Sequence, residues 1–322
     1  MSIRSTGAAL ADRAPAAGPI MPGEMPGDVA RVSRTRVLDT GVGLVESLRV
    51  DGPPAPAPRS ESFSADFQVC LPFRGAFVWH VGHDDVVADP NRVLFVAGGE
   101  GFRVSQPIAG GYGEVIVTLE PAVLSEMLGV PERRLADHPL FRGRSRPAGT
   151  SLQRLGLECL HRRAVPAAGL LAQEEWLVAF LRAALAIPSA APAISPSTAR
   201  LLARAKTYLA EHLSTQVRLT EVAGAIGTTP AYLTTLFRRV EGRPLHQYLV
   251  QLRLARALVE LPHTSDLIAL ACALGFSSHS HFSATFRRAF GCTPSSYRDA
   301  RRFDRAKATP RPRGALAGSV VQ

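Results

Sequence analysis

Lysine is almost missing from this 322-residue chain: of its 37 basic residues, only Lys206 and Lys307 are not arginine. Arginine supplies planar, multi-donor groups that match phosphate and guanine. Cysteine is also scarce, and Cys70, Cys159, Cys272 and Cys292 show no C-x-x-C pairing. The expectation is therefore reduced, mostly buried thiols in a cytoplasmic protein, with a redox pair as the alternative for Cys272 and Cys292. No apolar run approaches the length of a membrane helix, and no signal-peptide hydrophobic region opens the chain, so no membrane association is expected. A Gly-rich phosphate loop and a nucleophile elbow are missing too. Catalytic residues, a metal and a cofactor are accordingly not expected.

The length allows two domains, and 46% hydrophobic residues are enough for two cores. The net charge of +10 is unevenly placed. Residues 1–196 hold 19 arginines against 20 acidic residues, a balance of −1, whereas residues 197–305 hold 15 basic against 7 acidic, a balance of +8. The basic excess sits on one segment, as a polyanion-binding module requires.

That segment contains the same device twice. LTEVAGAIGTTPAYLTTLFRRVEGRPLHQY from Leu219 is followed by LIALACALGFSSHSHFSATFRRAFGCTPSSY from Leu267. Ala223 and Gly227 match Ala271 and Gly275 at an offset of 48, and Phe237, Arg238, Arg239, Gly242 and Tyr248 match Phe286, Arg287, Arg288, Gly291 and Tyr297 at 49. Each copy reads as helix, glycine turn, helix. In the first, Thr220 is the expected N-cap and Gly227 the left-handed stop; Thr229-Pro230 restarts a helix. Its stripe Leu233, Leu236, Phe237, Val240 faces inward, leaving Ala231, Thr234, Thr235 and Arg238 outside. In the second, Gly275 and Ser278 play stop and cap, Phe282, Phe286, Ala289 and Phe290 form the stripe, and His279, Ser283 and Arg287 look outward. Two helices about a short glycine turn form a helix-turn-helix, whose second helix can enter a DNA major groove. The candidate partner is double-stranded DNA, and the candidate contacts are Ala231, Thr234, Thr235, Arg238, Arg239, Ser278, His279, His281, Ser283, Arg287 and Arg288. The bland alternative is a pair of helical hairpins with solvated arginines.

The run G-F-x-S-x-S-x-F-x-x-x-F-R at Gly275–Arg287, then F-G-x-T-P-x-x-Y-R at Phe290–Arg298, closely resembles the signature of the AraC/XylS family of bacterial transcription regulators. Gly242, Tyr248-Leu249, Arg253-Leu254 and Ala257 resemble that family's linker helix. The resemblance covers about residues 198–300. It implies seven helices, with one long helix (here Leu245–Leu261) joining two helix-turn-helix units, and RNA polymerase as a further partner of an activator. Two departures stand out: the family often has Arg where Thr235 and Ala284 lie, and its Thr-Pro after the first Gly is here Arg243-Pro244.

Residues 1–36, rich in Ala, Pro and Gly at their start, are expected to form a disordered arm. From Val37 the pattern becomes short β-type runs: Gly43–Val50, Phe63–Leu71, Ala76–Val81, Asp85–Ala88, Val93–Ala97, Gly101–Val104 and Glu114–Leu119, broken by Gly- and Pro-rich turns. These argue for an antiparallel sandwich or a small barrel. By family resemblance the expectation is a cupin-like antiparallel β-barrel over residues 37–187 that senses a small-molecule effector and makes a homodimer. The aromatics Phe63, Phe67, Phe73, Phe77, Trp79, Phe95 and Phe102 would line a pocket or simply fill the core. His80, His83, Asp84, Asp85 and His138 do not assemble a cupin metal set, and satisfied or exposed turn histidines are expected instead. Arg142–Pro147 reads as a solvated basic loop. Two amphipathic helices, Ser151–Ala164 and Leu170–Ala186, either pack on their own barrel or form a dimer seam through Leu155, Cys159, Leu177 and Leu181. Residues 188–197 read as a linker, Ser197-Thr198 as the cap of helix Ala199–Leu213, residues 198–303 as the second domain and 304–322 as a disordered tail.

The fold class expected is thus α+β in two domains: a cupin-like barrel with accessory helices, then an all-α double helix-turn-helix. Two competing classes are a cupin-type enzyme or metal protein with an appended helical domain, and a DNA binder indifferent to sequence.

Overall fold

The computed structural model describes residues 30–58, 61–162, 170–186 and 194–300. The expected tail and most of the arm and linker lie outside these residues. Short runs of β-branched and aromatic residues between glycine and proline turns form ten strands: β1 (Arg31–Asp39), β2 (Gly43–Asp51), β3 (Ser62–Phe63), β4 (Phe67–Arg74), β5 (Phe77–Val81), β6 (Asp84–Ala88), β7 (Arg92–Val96), β8 (Gly101–Ser105), β9 (Tyr112–Leu119) and β10 (Ser145–Pro147). They make a six-stranded sheet in the order β1-β2-β9-β4-β7-β10 and a four-stranded sheet in the order β3-β8-β5-β6. All pairings are antiparallel.

Among the described residues neither sheet closes on itself, so the expected closed barrel gives way to a sandwich. Phe77, Trp79, Val81 and Ala88 of the smaller sheet pack against Val50, Cys70, Leu94, Val96, Tyr112 and Ile116 of the larger. The alternating faces of β2, β4, β7 and β9 explain this: one set of side chains enters the sandwich, the other faces the helices.

Two strands escape the periodicity argument. β1 begins at Arg31, inside the segment expected to be an arm; it is an edge strand with only Leu38 buried, so no alternating apolar face marks it. β10 falls in the expected solvated loop, yet Ser145 and Arg146 are buried and pair with Leu94 and Val93. The expected strand Phe63–Leu71 is split at Ser64–Asp66 between the two sheets. Pro72 is tolerated because β4 pairs with β7 only over Gln68–Cys70, and the β9 ladder bulges between Pro72 and Arg74.

Four helices belong to this half: α1 (Pro121–Leu128), α2 (Pro139–Arg142), α3 (Thr150–Arg162) and α4 (Leu170–Leu185). The expected dimer seam is not available on α3 and α4. Cys159, Leu177 and Leu181 are fully buried and Leu155 half-buried, packed against the outer face of the larger sheet with Leu71, Phe95 and Phe180. A Cβ on Gly156 would lie 2.5 Å from Leu71 Cδ2, which shows how closely α3 approaches β4.

The helical half follows: α5 (Pro196–Glu211), α6 (Leu219–Ile226), α7 (Pro230–Glu241), α8 (Leu245–Glu260), α9 (Leu267–Ala273) and α10 (His279–Phe290). The cap of α5 is Ser195, which accepts from Thr198 N, and not Ser197-Thr198. The apolar core does not stop at the domain boundary: it continues from Leu71 and Phe95 through Leu152 and Phe180 to Leu202, Tyr248, Phe282 and Tyr297. No helix among the described residues is long and apolar enough to cross a membrane.

One polar side chain is out of place in the sandwich. Glu114 shares its strand face with Tyr112 and Ile116, is buried, and is pushed up to about 7 by that burial, with the charge of Arg34 opposing. A carboxyl raised in the folded state contributes nothing adverse below its unfolded value and destabilises as pH rises through about 7. Relative to the parent, Glu114→Gln is therefore expected to gain about 3 kcal/mol of unfolding free energy between pH 4.5 and pH 8. Urea unfolding at the two pH values checks this; an unchanged difference would mean that Glu114 titrates like an exposed carboxyl.

Candidate nucleic-acid interface

The first unit starts about two turns before its turn-forming glycine. Helix α6 begins at Leu219 after Arg218, not after the expected cap Thr220, and the Glu221 carboxylate accepts from Arg218 N at 3.0 Å. Val222, Ala223 and Ile226 are buried, and Gly227 ends the helix at φ +76°, the left-handed conformation that favours glycine. Thr229 Oγ1 then accepts from Tyr232 N at 3.3 Å, and Pro230 opens α7. Leu233, Leu236 and Phe237 are buried and Val240 half-buried; Ala231, Thr235, Arg238 and Arg239 are exposed and Thr234 half-buried, as the periodicity predicts.

In the second unit Asp266 caps α9, accepting from Ile268 N at 2.8 Å and Ala269 N at 3.0 Å. Gly275 is at φ +76°, and a Cβ there would sit 2.7 Å from Arg253 Nη2 and 2.9 Å from Leu213 O, so both backbone and space require glycine. Ser278 Oγ accepts from His281 N at 3.1 Å to start α10. Phe282, Phe286 and Phe290 form its buried edge, Phe286 lying 5.8 Å from Tyr297 and 4.7 Å from Phe290. Ser278, His281, Arg287 and Arg288 are exposed, and His279 and Ser283 are half-buried.

The polar edges of these faces are partly committed. Thr234 and Thr235 donate to Pro230 O at 2.9 Å and Ala231 O at 3.1 Å, leaving their oxygens as acceptors. Ser283 Oγ and His279 Nε2 are 3.3 Å apart, Ser277 Oγ and His281 Nδ1 3.0 Å. Arg238, Arg239, Arg287 and Arg288 make no hydrogen bond or ion pair among the described residues. Four unpaired guanidiniums beside short hydroxyls and imidazoles present both phosphate-binding and base-reading chemistry.

Helix α8 joins the units and buries Tyr248, Leu249, Leu252 and Ala255, with Val259 half-buried. It ends at Glu260, and Leu261 opens a 3-10 turn. Arg253, at a position shared with the family's linker pattern, is an internal tie: its Nε donates to Leu213 O at 2.8 Å and its Nη2 to Thr215 O at 2.7 Å, with Phe276 beneath the guanidinium. Tyr232 is half exposed at the start of α7 and is not singled out by periodicity, because an aromatic at that spacing reads as core.

Two histidines of the amino-terminal half are held in internal hydrogen bonds. His80 uses both ring nitrogens, Nδ1 with Asp85 at 2.6 Å and Nε2 with Ser105 Oγ at 2.8 Å, and His138 caps α2 through Leu140 N. Ser105 is only 3% exposed, so this Asp-His-Ser chain is a cross-strand ladder without access for a substrate. No group of three His, Cys, Asp or Glu side chains is placed to hold a metal among the described residues. The seven aromatics do not share one pocket: Phe67, Phe73 and Phe95 face the helices, Phe77, Trp79 and Phe102 the sandwich interior, and Phe63 is exposed. Cys70 and Cys159 are buried thiols; Cys272 is exposed and Cys292 half-buried, both free.

A helix-turn-helix domain model matches residues 222–300. The regulatory protein SoxS of Salmonella typhimurium is 38% identical over 92 residues, which cover 28% of this chain and 86% of SoxS. The regulatory protein PocR of the same organism is 34% identical over 96 residues, covering 30% of this chain and 32% of PocR. The chain therefore spans most of one relative and about a third of the other. Among solved structures, an AraC-type regulator from Chromobacterium violaceum is 30% identical over 33% of this chain and 96% of its own length, with a TM-score of 0.31. With two capped helix-turn-helix units and relatives of this kind, the chain belongs to the AraC/XylS family of DNA-binding transcription regulators.

Proposed function

We propose that this regulator reads specific sequences by placing α7 and α10 in adjacent major-groove faces of double-stranded DNA, under control of a small-molecule effector taken by the amino-terminal half. The observation that carries the reading is the pair of exposed faces, each with two unpaired arginines at the end of a reading helix. Thr234, Arg238, His279 and Ser283 contact bases; Arg239, Arg288 and Ser278 hold the phosphate backbone, with Ala231, Thr235, His281 and Arg287 completing the faces. Tyr232, exposed beside Thr229, adds a phosphate contact. The two-sheet half takes the cupin-like sensing role, and the protein works in the cytoplasm as a homodimer that engages RNA polymerase. The dimer surface lies outside the buried α3 and α4 faces. No reaction is catalysed; a difference in affinity between two states of the chain is the output.

Selection by the full chain from randomised duplexes tests this. The enriched site is expected to bind with a log affinity that falls linearly with log salt, by roughly −0.9 per neutralised phosphate. Arg238→Ala is expected to relax preference at one or two base pairs by about 1–3 kcal/mol, whereas Arg239→Ala weakens all sequences evenly. A reversal of the two classes would overturn the assignment of readers and anchors.

A further inference from the structure

The two halves meet across buried charge that neither the reading faces nor the sandwich uses. The turn between β6 and β7, Asp89-Pro90-Asn91-Arg92, sends three polar side chains into the helical half. The Asp89 carboxylate accepts from Tyr248 Oη at 2.5 Å and from Asn91 N at 2.9 Å. Asn91 Nδ2 donates to Tyr248 O at 3.0 Å. Arg92 donates through Nη1 to Glu241 at 3.2 Å and through Nη2 to Ser145 Oγ at 2.7 Å. Glu241 also holds Lys206 Nζ at 2.6 Å, and Gln153 of α3 fastens the turn from behind, donating to Pro90 O at 2.6 Å. All of these side chains are buried, Asp89 and Asn91 completely.

Two cations and two carboxylates withdrawn from water are stable only in well-matched geometry, so such a cluster specifies one arrangement of the parts it joins. The parts matter here. Glu241 is the last residue of α7, Tyr248 lies in the first turn of α8, and only Gly242-Arg243-Pro244 separate the two helices. The turn therefore grips the joint at which the first reading helix meets the spacer. Helix α3, which holds the turn through Gln153, lies against both α8 and α10. Burial pushes the Glu241 carboxyl up, yet Lys206 and Arg92 hold it down to about 2, so it stays ionised across the joint. The reading faces of α7 and α10 remain exposed while the halves are packed, so this contact braces the reading helices and does not cover them.

We propose that Asp89, Asn91 and Arg92 are positioning residues for DNA reading: through Tyr248 and Glu241 they set α7 against α8 and so fix the register between α7 and α10. The proposal rests on the DNA-reading function above for its consequence, but the brace itself exists without DNA.

Two variants in the amino-terminal half test it in the full chain. Arg92→Met removes the charge, and Asn91→Ala keeps every charge but frees Tyr248 O. Without DNA, both are expected to speed amide exchange at residues 241–249 by roughly tenfold or more, with Arg92→Lys restoring part of the protection. On a duplex selected by the parent chain, both are expected to lose roughly tenfold in specific affinity and little in non-specific affinity. Folding is followed by circular dichroism, and if Arg92→Met fails to fold, Asn91→Ala decides. Unchanged exchange at 241–249 overturns the brace. Faster exchange with unchanged specific affinity overturns its role in DNA reading. A parent chain that selects no duplex overturns the DNA-reading function instead, and the exchange result still tells whether the brace is there.

Discussion

Leu177→Glu is expected to unfold the amino-terminal half, not to release a monomer. Leu177 is fully buried on α4 beside Phe180, Leu181 and Ala184, and Trp176 stacks on Phe180 at 5.5 Å. The substitution removes a packed side chain and puts a carboxylate into the apolar core. An unpaired buried charge and a lost core leucine together destabilise by about 4 kcal/mol or more, a large share of a domain's net stability. Leu171→Glu, on the same helix at an exposed site, is the matched control and is expected to change stability by less than about 0.5 kcal/mol. Thermal melts followed by circular dichroism distinguish the two. A folded Leu177→Glu monomer with the parent's melting temperature would return α4 to the role of a dimer seam.

That reversal shows what the sequence carries and what it leaves out. The stripe Leu170, Leu171, Leu177, Phe180, Leu181 has the spacing of a helix with one apolar face. Spacing fixes that a face is covered; it does not say by what, and here the chain's own larger sheet covers Leu177, Phe180 and Leu181 while Leu171 stays exposed. The helix-turn-helix units were legible because their signals are short-range. Gly227 and Gly275 stop helices in the left-handed region, Thr229 and Ser278 restart them, and each stripe follows within twelve residues. Helix starts moved where two hydroxyls or charged residues compete for one cap, as at Ser195 and Arg218.

The sandwich was half legible. Seven strand runs were marked by their turns, but pairing order is a long-range property, and an edge strand such as β1 with arginines on both faces carries no period-two signal. The brace was invisible. Asp89-Pro90-Asn91 reads as a turn and nothing more, since Tyr248 stands 159 residues away from its partner Asp89. A buried cluster of opposite charges assembled from four distant segments leaves no local pattern.

The geometry of the DNA complex offers the largest effect. On the proposed reading, α7 and α10, joined by the buried helix α8 and braced from the amino-terminal half, are expected to move as one body. Such a body engages two boxes only when successive major grooves face the same side, about every 10–10.5 base pairs or roughly 34 Å along the duplex. Where the spacing of α7 and α10 falls short of that distance, the DNA bends to meet them. Inserting five base pairs turns one box to the far side; the chain must then release one reading helix and forfeit its base contacts, each good bidentate pair being worth about 1–3 kcal/mol.

The measurement that bears most directly on this account is a footprint of the full chain on its selected duplex, paired with titration of the same duplex carrying five extra base pairs between the boxes. The expected result is two protected boxes about one turn apart on one face, collapsing to a single box with roughly a hundredfold weaker binding after the insertion. Equal affinity and two protected boxes on both duplexes would contradict it, since α7 and α10 would then move independently and α8 would not be a fixed spacer.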